Sequence, residues 1–383
     1  MPLAVTDLRI EQVGDSAGID RFIRVPFDIY ADDPHWVAPL MLERRDHLNP
    51  KSNPYFDHAE VAYWLAISDG RPVGRISAQL DHNYLERYND GCGNFGFIEG
   101  IDDGAVFKGL FAAAEGWLRD RGMVTARGPF SLSINDESGL LIDGFDSPPS
   151  MMMGHAPPYY ASRIEAEGYS KANDLFAYRF DRSQALPSGP LAIIKRAQRG
   201  NSIKLRHLDK SRYQAELEII LDIFNDAWSG NWGFVPFTAA EIKHLAKSIK
   251  PLISEQLVSI VEVEGVPAAM AVNLPNLNEA IADLDGRLLP FGWAKLLWRL
   301  KVGRMRSARV VLMGVRRKYH DSSLGAALAF TAIDAIYRDL TAAGFDYAEL
   351  SWVLESNLPM RRIIDVCGAR QYKTYRIYEK ALA

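Results

Sequence analysis

The chain has 383 residues, of which 48% are hydrophobic and 24% charged. Those proportions exclude a disordered chain, a collagen-like fibre and a disulfide-stapled miniprotein. With 44 basic and 48 acidic side chains the formal charge is -4, so no global basic excess points to nucleic acid. Cys92 and Cys367 alone make no disulfide framework and suit a reducing compartment. The opening residues lack a basic segment followed by an apolar run, and no stretch of about 18 apolar residues occurs. The expectation is a cytoplasmic chain of two or three domains.

In chain order, a helical opening leads to a predicted strand at Ala62–Ile67, a tight Asp69-Gly70-Arg71-Pro72 turn and a strand at Val73–Leu80. A strand at Gly93–Glu99 follows. Phe107, Leu110, Phe111, Ala114, Trp117 and Leu118 then form a helical stripe. The same order returns later. Leu257–Val263, Glu264-Gly265-Val266-Pro267 and Pro267–Asn273 predict a second hairpin, and Arg309–Val315 a third strand. Leu324, Leu328, Thr331 and Ala335 mark the next helix, and Tyr347–Val353 and Thr374–Lys380 the last strands. Trp36-Val-Ala-Pro39 also returns loosely as Trp232-Gly-Phe234-Val-Pro236, at nearly the same offset as the hairpin turns. These recurrences predict one mixed α/β domain built twice, over residues 1–185 and 186–383, joined near the turn-rich Ser183-Gln-Ala-Leu-Pro187.

The most specific stretch is Val315-Arg316-Arg317-Lys318-Tyr-His-Asp-Ser322-Ser323-Leu324-Gly325-Ala326. A strand there feeds a short basic loop and a helix start. Backbone N–H groups and the positive helix end suit a phosphate, and the three cations suit several. An ordinary strand–helix turn with solvated cations is the competing reading.

Farther on come Glu355, Asn357 and Gly368. With them the whole chain resembles the GNAT superfamily of acyl-CoA-dependent acyltransferases. That resemblance implies α+β mixed sheets in two tandem domains, with acyl-CoA as co-substrate and no metal. It places pyrophosphate at the loop Arg316–Ala326, the thioester oxyanion on a backbone N–H near Gly314–Val315 and pantetheine near Asn357. The sequence departs from the superfamily pattern at Asp321 and Ser323, where glycine is usual, and at Ile364, where a tyrosine acid often stands. An amine would attack the thioester directly, with Glu355 as first candidate for the base that takes its proton.

The first half has Gly100-Ile-Asp102-Asp103-Gly104 where the basic loop would fall, so no CoA phosphate site is expected there. It carries instead a long polar, Gly- and Pro-rich segment from Gly128 to Tyr160. Asn135, Asp136, Glu137, His155, Tyr159 and Tyr160 are its candidate functional residues, with Glu99 just upstream. Asp136, Glu137, His155 and Glu99 are alternative bases, whereas Asn135, Tyr159, Tyr160, Trp232 and Phe234 are candidate substrate contacts. The turn preferences of Asn and Asp offer a purely structural account. This segment, with Trp36–Leu40 upstream and Leu354–Arg362 downstream, resembles the family of bacterial ceramide synthases over about residues 5 to 383. The resemblance implies transfer of a long-chain acyl group from acyl-CoA to a sphingoid base, 3-oxosphinganine first among them. Acylation of another small amine by a soluble enzyme, and a non-catalytic acyl-CoA or lipid sensor, stay open.

Leu289, Trp293, Leu296, Leu297 and Leu300 fall on one face of a predicted helix, Lys295, Arg299 and Arg306 opposite, and Trp298 on the flank. That pattern predicts either a helix packed on its own domain or peripheral contact with the cytoplasmic face of the inner membrane through Trp293, Trp298, Lys295 and Arg299.

Overall fold

The computed structural model describes residues 7–200 and 203–382. The first six residues of the segment read for a targeting signal lie outside that description. The chain divides into two compact units, one of residues 1–175, 281–293 and 373–383, the other of residues 176–280 and 294–372.

The first unit opens with β1 (Arg9–Gln12), α1 (Ser16–Ile29) and α2 (Met41–His47). The hairpin β2 (Ala59–Ser68) and β3 (Arg71–Asp81) follows, then α3 (His82–Tyr88), β4 (Cys92–Gly100), α4 (Gly104–Arg119) and β5 (Thr125–Gly128). Asp69 and Gly70 turn the hairpin at φ 48° and 74°, the left-handed geometry that a two-residue turn between twisted strands needs. The stripe read from Phe107 to Leu118 is the buried face of α4, with Val106, Phe107, Leu110 and Leu118 sealed from solvent. On the opposite face of the sheet, Phe22, Ile23 and Val25 of α1 pack on Tyr63, Leu65, Ile67 and Phe97.

The long segment after β5 is more regular than its composition suggests. It forms β6 (Phe130–Ser131), β7 (Glu137–Ser138) and β8 (Leu140–Asp143) before α5 (Tyr159–Ala166). Next comes β9 (Ser170–Asp181), whose residues from Phe176 onward belong to the second unit.

The second unit continues with α6 (Ser188–Gly200), β10 (Ile203–His207), α7 (Tyr213–Trp228) and α8 (Ala239–Ile249). β11 (Val258–Val263) and β12 (Val266–Pro275) form its hairpin, turned by Glu264 and Gly265 at φ 52° and 79°. After α9 (Leu277–Ile281) and α10 (Gly292–Lys301), between which residues 281–293 belong to the first unit, come β13 (Ser307–Val315), α11 (Ser323–Ala342), β14 (Tyr347–Leu354) and α12 (Leu358–Val366); β15 (Arg370–Ala381) ends the chain, in the first unit from Lys373 onward. Strands run in the order β10, β11, β12, β13, β14, β9. β13 and β14 pair in parallel across the α11 crossover. Val310 and Leu350 from these strands pack against Leu328, Ala332 and Ile336 of α11.

The first unit takes its last strand from the far end of the chain. Tyr378–Ala381 of β15 pair antiparallel with Thr125–Gly128, and Thr374–Arg376 pair with β8. Lys373 is fully buried there, its Nζ donating to the Gly144 and Ser147 carbonyls at 2.7 and 2.8 Å.

Candidate active site

β13 and β14 hold register only from Ser307–Val310 against Tyr347–Leu350. Beyond that the strands part, and a cavity of about 740 Å³ opens between Val311–Val315 and Ser351–Leu354. Gly325, Ala326, Ala329 and Ile333 of α11 form one wall. Trp228 closes another side. Its Nε1 donates to the Met313 carbonyl at 3.0 Å, and its ring meets that of Trp352 edge-on at 5.6 Å.

Residues alternate direction along a strand. The Arg316 N–H bonds back to the Ala268 carbonyl, and Gly314 pairs with Met270, so these residues face β12. The Met313 carbonyl meets Trp228 and the Val315 carbonyl accepts from His320 Nε2 at 2.8 Å, so Met313 and Val315 face the cavity.

The basic loop ends at the start of α11. Ser322 caps the helix, its hydroxyl accepting from the Gly325 N–H at 3.0 Å and donating to the Tyr319 carbonyl at 2.6 Å. The Ser323 and Leu324 N–H groups belong to the first turn, which has no intrahelical acceptors. Arg317, Tyr319, His320, Asp321 and Ser322 line the cavity. The three expected cations diverge. Arg316 turns back to the Pro267 carbonyl at 2.8 Å and to Asp222 at 2.5 Å. The Arg317 N–H donates to Asp226 at 2.7 Å, while its guanidinium reaches Ser229 Oγ at 3.1 Å. Lys318 lies over the Tyr319 ring. Asn357 lines the far side, its side chain capping α12 at the Met360 N–H. Glu355 is not among the lining residues; its backbone carbonyl accepts from Arg361.

At the root of the cavity is a polar chain that the sequence reading did not single out. Arg309 and Glu349 are register partners, 4% and 0% exposed. Ser351 donates to the Glu349 carboxylate and accepts from Arg309 Nε at 2.9 Å. Tyr372 donates to the other carboxylate oxygen. A charged residue inside the apolar run Tyr347–Leu354 was the available signal.

In the first unit, β4 and β5 likewise pair only briefly, at Cys92–Asn94 with Thr125–Arg127. There the chain itself fills the space beyond. A Cβ on Gly96 would stand 1.7 Å from the Phe130 carbonyl oxygen. Gln79 Nε2 donates to the Phe130 and Leu132 carbonyls at 2.6 and 3.1 Å, and Leu132 is fully buried. The α4 start is capped by the Asp103 carboxylate on the Ala105 N–H at 2.7 Å, with Asp102 bound to Arg163. Two carboxylates therefore stand where the second unit has its cations, the wrong sign for a phosphate.

The other candidates of the first unit are bound up in pairs. Glu99 accepts from Tyr30 and Tyr160, each at 2.7 Å, with Arg75 at 3.6 Å. Burial pushes its carboxyl up, against the pull of Arg75 and the two hydroxyls. Tyr159 donates to the Gly100 carbonyl at 2.8 Å. His155 Nε2 lies 2.8 Å from Asp33, and burial holds its pKa below the usual imidazole value. Asp136 meets His47 at 3.7 Å and Ser133 Oγ at 2.9 Å, and Glu137 forms an ion pair with Arg44. The Asn135 N–H donates to Ser133 Oγ. Back in the second unit, Phe234 is buried against Phe224, with Trp232 two residues before it. Burial raises both thiols, Cys92 and Cys367, to about 12. Among the described residues, no group of three or more His, Cys, Asp or Glu is placed to hold a metal ion.

Solved structures share this architecture. A tandem GNAT protein from the clavulanic acid biosynthesis pathway matches with a TM-score of 0.55 at 12% identity, over 98% of this chain and 99% of that one. A GCN5-related N-acetyltransferase from Sphaerobacter thermophilus matches with 0.52 at 14% identity, over 99% and 97%. The fold is that of a tandem GNAT protein. No family model matches the sequence. The bacterial ceramide synthase of Caulobacter vibrioides is 50% identical over 98% of this chain and 98% of its own. Protein YghO of Escherichia coli K12 is 46% identical over 94% and 92%. The chain belongs to the bacterial ceramide synthase family.

Proposed function

We propose that this chain is an N-acyltransferase that moves a long-chain acyl group from acyl-CoA to the amine of a sphingoid base, with 3-oxosphinganine as the first acceptor to test. The observation that carries this reading is the cavity between β13 and β14, which opens onto the first turn of α11. Pyrophosphate would lie against the first-turn N–H groups and the Arg317 side, while Asn357 would flank the pantetheine arm. The Val315 and Met313 N–H groups would hold the oxyanion as the amine adds to the thioester carbon. Thiols with pKa values near 12 make poor nucleophiles, which favours direct attack over an acyl-enzyme. The filled gap and acidic helix cap of the first unit support a CoA site in the second unit alone.

A membrane surface is the second element of this reading. No helix among the described residues is long and apolar enough to cross a bilayer. Yet Leu289, Phe291, Trp293, Leu297, Trp298 and Val302 are exposed by 47% to 78% within a single short segment. Each methylene moved from water to hydrocarbon is worth about 0.8 kcal/mol, so a long-chain substrate is best met at the lipid. We place that contact on α10 and the loop before it.

The test is a panel of acyl-CoAs of different lengths and several amines, a sphingoid base among them, with products read by mass spectrometry. Amide formation on the sphingoid base with long chains supports the proposal. Acylation of small amines alone, or CoA binding without amide, overturns it in favour of a different acyltransferase or a sensor.

A further inference from the structure

We propose that the buried chain Arg309–Ser351–Glu349–Tyr372 is the proton path of the acyl transfer, with Ser351 touching the amine and Glu349 receiving the proton. This rests on the function proposed above.

Val310 and Leu350 are the last registered pair before β13 and β14 separate. Arg309 and Glu349 are the pair just before, and Ser351 is the first residue beyond. Ser351 lines the cavity. Alternation along the strands puts Glu349 and Ser351 on one face, while Val310 and Leu350 face the α11 core. The polar chain therefore stands at the root of the gap, on the face turned away from α11.

Ser351 Oγ uses its hydrogen on Glu349 and one lone pair on Arg309 Nε. A hydroxyl has two acceptor lone pairs, so one is left for an N–H donor from the cavity side. The Arg309 guanidinium stands 4.0 Å from the carboxylate and also holds the Ser351 carbonyl at 3.2 Å, which fixes the relay in place. Arg309, Tyr372 and Ser351 all face the Glu349 carboxylate.

An ion pair this deep is no more stable than an apolar pair of similar volume, so stability alone does not account for it. The first unit shows the alternative. At the matching register, third in its short parallel pairing, Asn94 stands opposite Arg127, whose bonded carboxylate, Glu379, comes from β15 and not from the parallel partner strand.

The neutral amine adds to the thioester carbon. Its N–H proton passes to Ser351 Oγ as the Ser351 proton passes to Glu349. The tetrahedral intermediate then expels the CoA thiolate, the C–S bond breaks, and Glu349 returns the proton through Ser351 to the thiolate. Amide and CoA thiol leave, and no oxidant or further reactant is needed.

The experiment measures single-turnover amide formation across pH 6–9, with CoA binding measured separately. Glu349→Gln should lose ~10²-fold or more in rate. Ser351→Ala should lose on the order of tenfold or more, while Ser351→Thr, which keeps the hydroxyl, restores most of the rate. All three should bind CoA within about threefold of wild type, since only the proton step is removed. Tyr372→Phe keeps the ion pair and serves should Glu349→Gln fail to fold. It removes one bond to the carboxylate, so the single-turnover rate should fall several-fold while CoA binding stays within about threefold of wild type. A merely structural role would weaken CoA binding and leave the rate of the bound complex unchanged, and this result overturns the relay. So does a Glu349→Gln enzyme with wild-type rate and profile. A wild-type protein that acylates no amine overturns the underlying function instead.

Discussion

Gly325 lies so close to the Tyr319 carbonyl that a β-carbon on it would stand 2.0 Å from that oxygen. This contact folds the basic loop onto the first turn of α11, and it explains why one glycine remains where its neighbours in the loop are serine and aspartate. Gly325→Ala must push the loop off the helix. It should cost about 1–3 kcal/mol of stability and weaken CoA binding roughly tenfold or more. Gly116 of α4 has open space around it, so Gly116→Ala should leave CoA binding unchanged and stabilise by up to about 1 kcal/mol. Thermal unfolding and CoA titration of the two variants check the contrast.

The two units should respond differently to CoA. Hydrogen exchange with a non-reactive CoA analogue should slow at Met313–Ala326 and around Asn357. It should not change at Asp102–Val106, where the Asp103 carboxylate occupies the helix start. Protection confined to the first unit would put the site in the wrong place.

Two histidine pairs of the first unit predict opposite pH signs. Burial opposes charging His47, yet Asp136 beside it raises its pKa above 6.5 in the fold. A raised folded pKa means the folded state holds the proton more tightly. Its stabilisation is complete below about pH 6.5 and fades as pH rises through the raised value. His155 is the reverse. Burial outweighs Asp33 and lowers its pKa below 6.5, so its contribution is present above that pH and is lost as pH falls through the depressed value. Each substitution by glutamine removes a buried polar contact worth roughly 1–3 kcal/mol. The cost of His47→Gln should be larger at pH 5.5 than at pH 8, and that of His155→Gln larger at pH 8. Denaturant unfolding at the two pH values reads both, and equal costs at both would refute the pairing.

Local signals carried most of the fold. The Asp69-Gly70 and Glu264-Gly265 turns, the α4 stripe and the strand into Arg316 all follow from residues close in sequence. What was not legible depends on distant partners. Nothing near Thr374 announces that β15 will pair with Thr125–Gly128, some 250 residues away, because antiparallel pairing leaves no local pattern for its partner. Arg316 reads as a phosphate ligand until Asp222, on α7, is seen to claim it. The same holds for Ser322, whose hydroxyl serves the helix cap. Glu349 was visible as a charge in an apolar strand, but its meaning came only with Arg309, Ser351 and Tyr372 around it.

The membrane contact is the prediction most changed by the structure. Leu296 and Leu300, expected on the outward apolar face, are half-buried, and Arg299 turns to the Ala280 carbonyl at 2.8 Å. At 100° per residue these three lie on one side of α10, and Leu297, Trp298, Lys295 and Lys301 lie on the other. The outward side is thus apolar as well as basic: Trp298 is 61% exposed and Phe291, just before the helix, 77%. A packed helix would reverse this, with its aromatic residues inward. Lysines flanking exposed tryptophans suit an anionic bilayer, each cation adding about 1 kcal/mol near the surface. Wild-type protein should sediment with vesicles containing phosphatidylglycerol and much less with neutral ones, and its tryptophan emission should shift blue. Leu297→Glu with Trp298→Glu removes two side chains that would each gain roughly 1.5–3 kcal/mol on entering the lipid, so vesicle affinity should fall ~10²-fold or more. Turnover of a water-soluble short-chain acceptor should be unaffected, because neither residue lines the cavity. If the wild type ignores vesicles and instead forms a dimer that the same pair of substitutions dissociates, the face belongs to a second copy of the chain and the lipid contact is wrong.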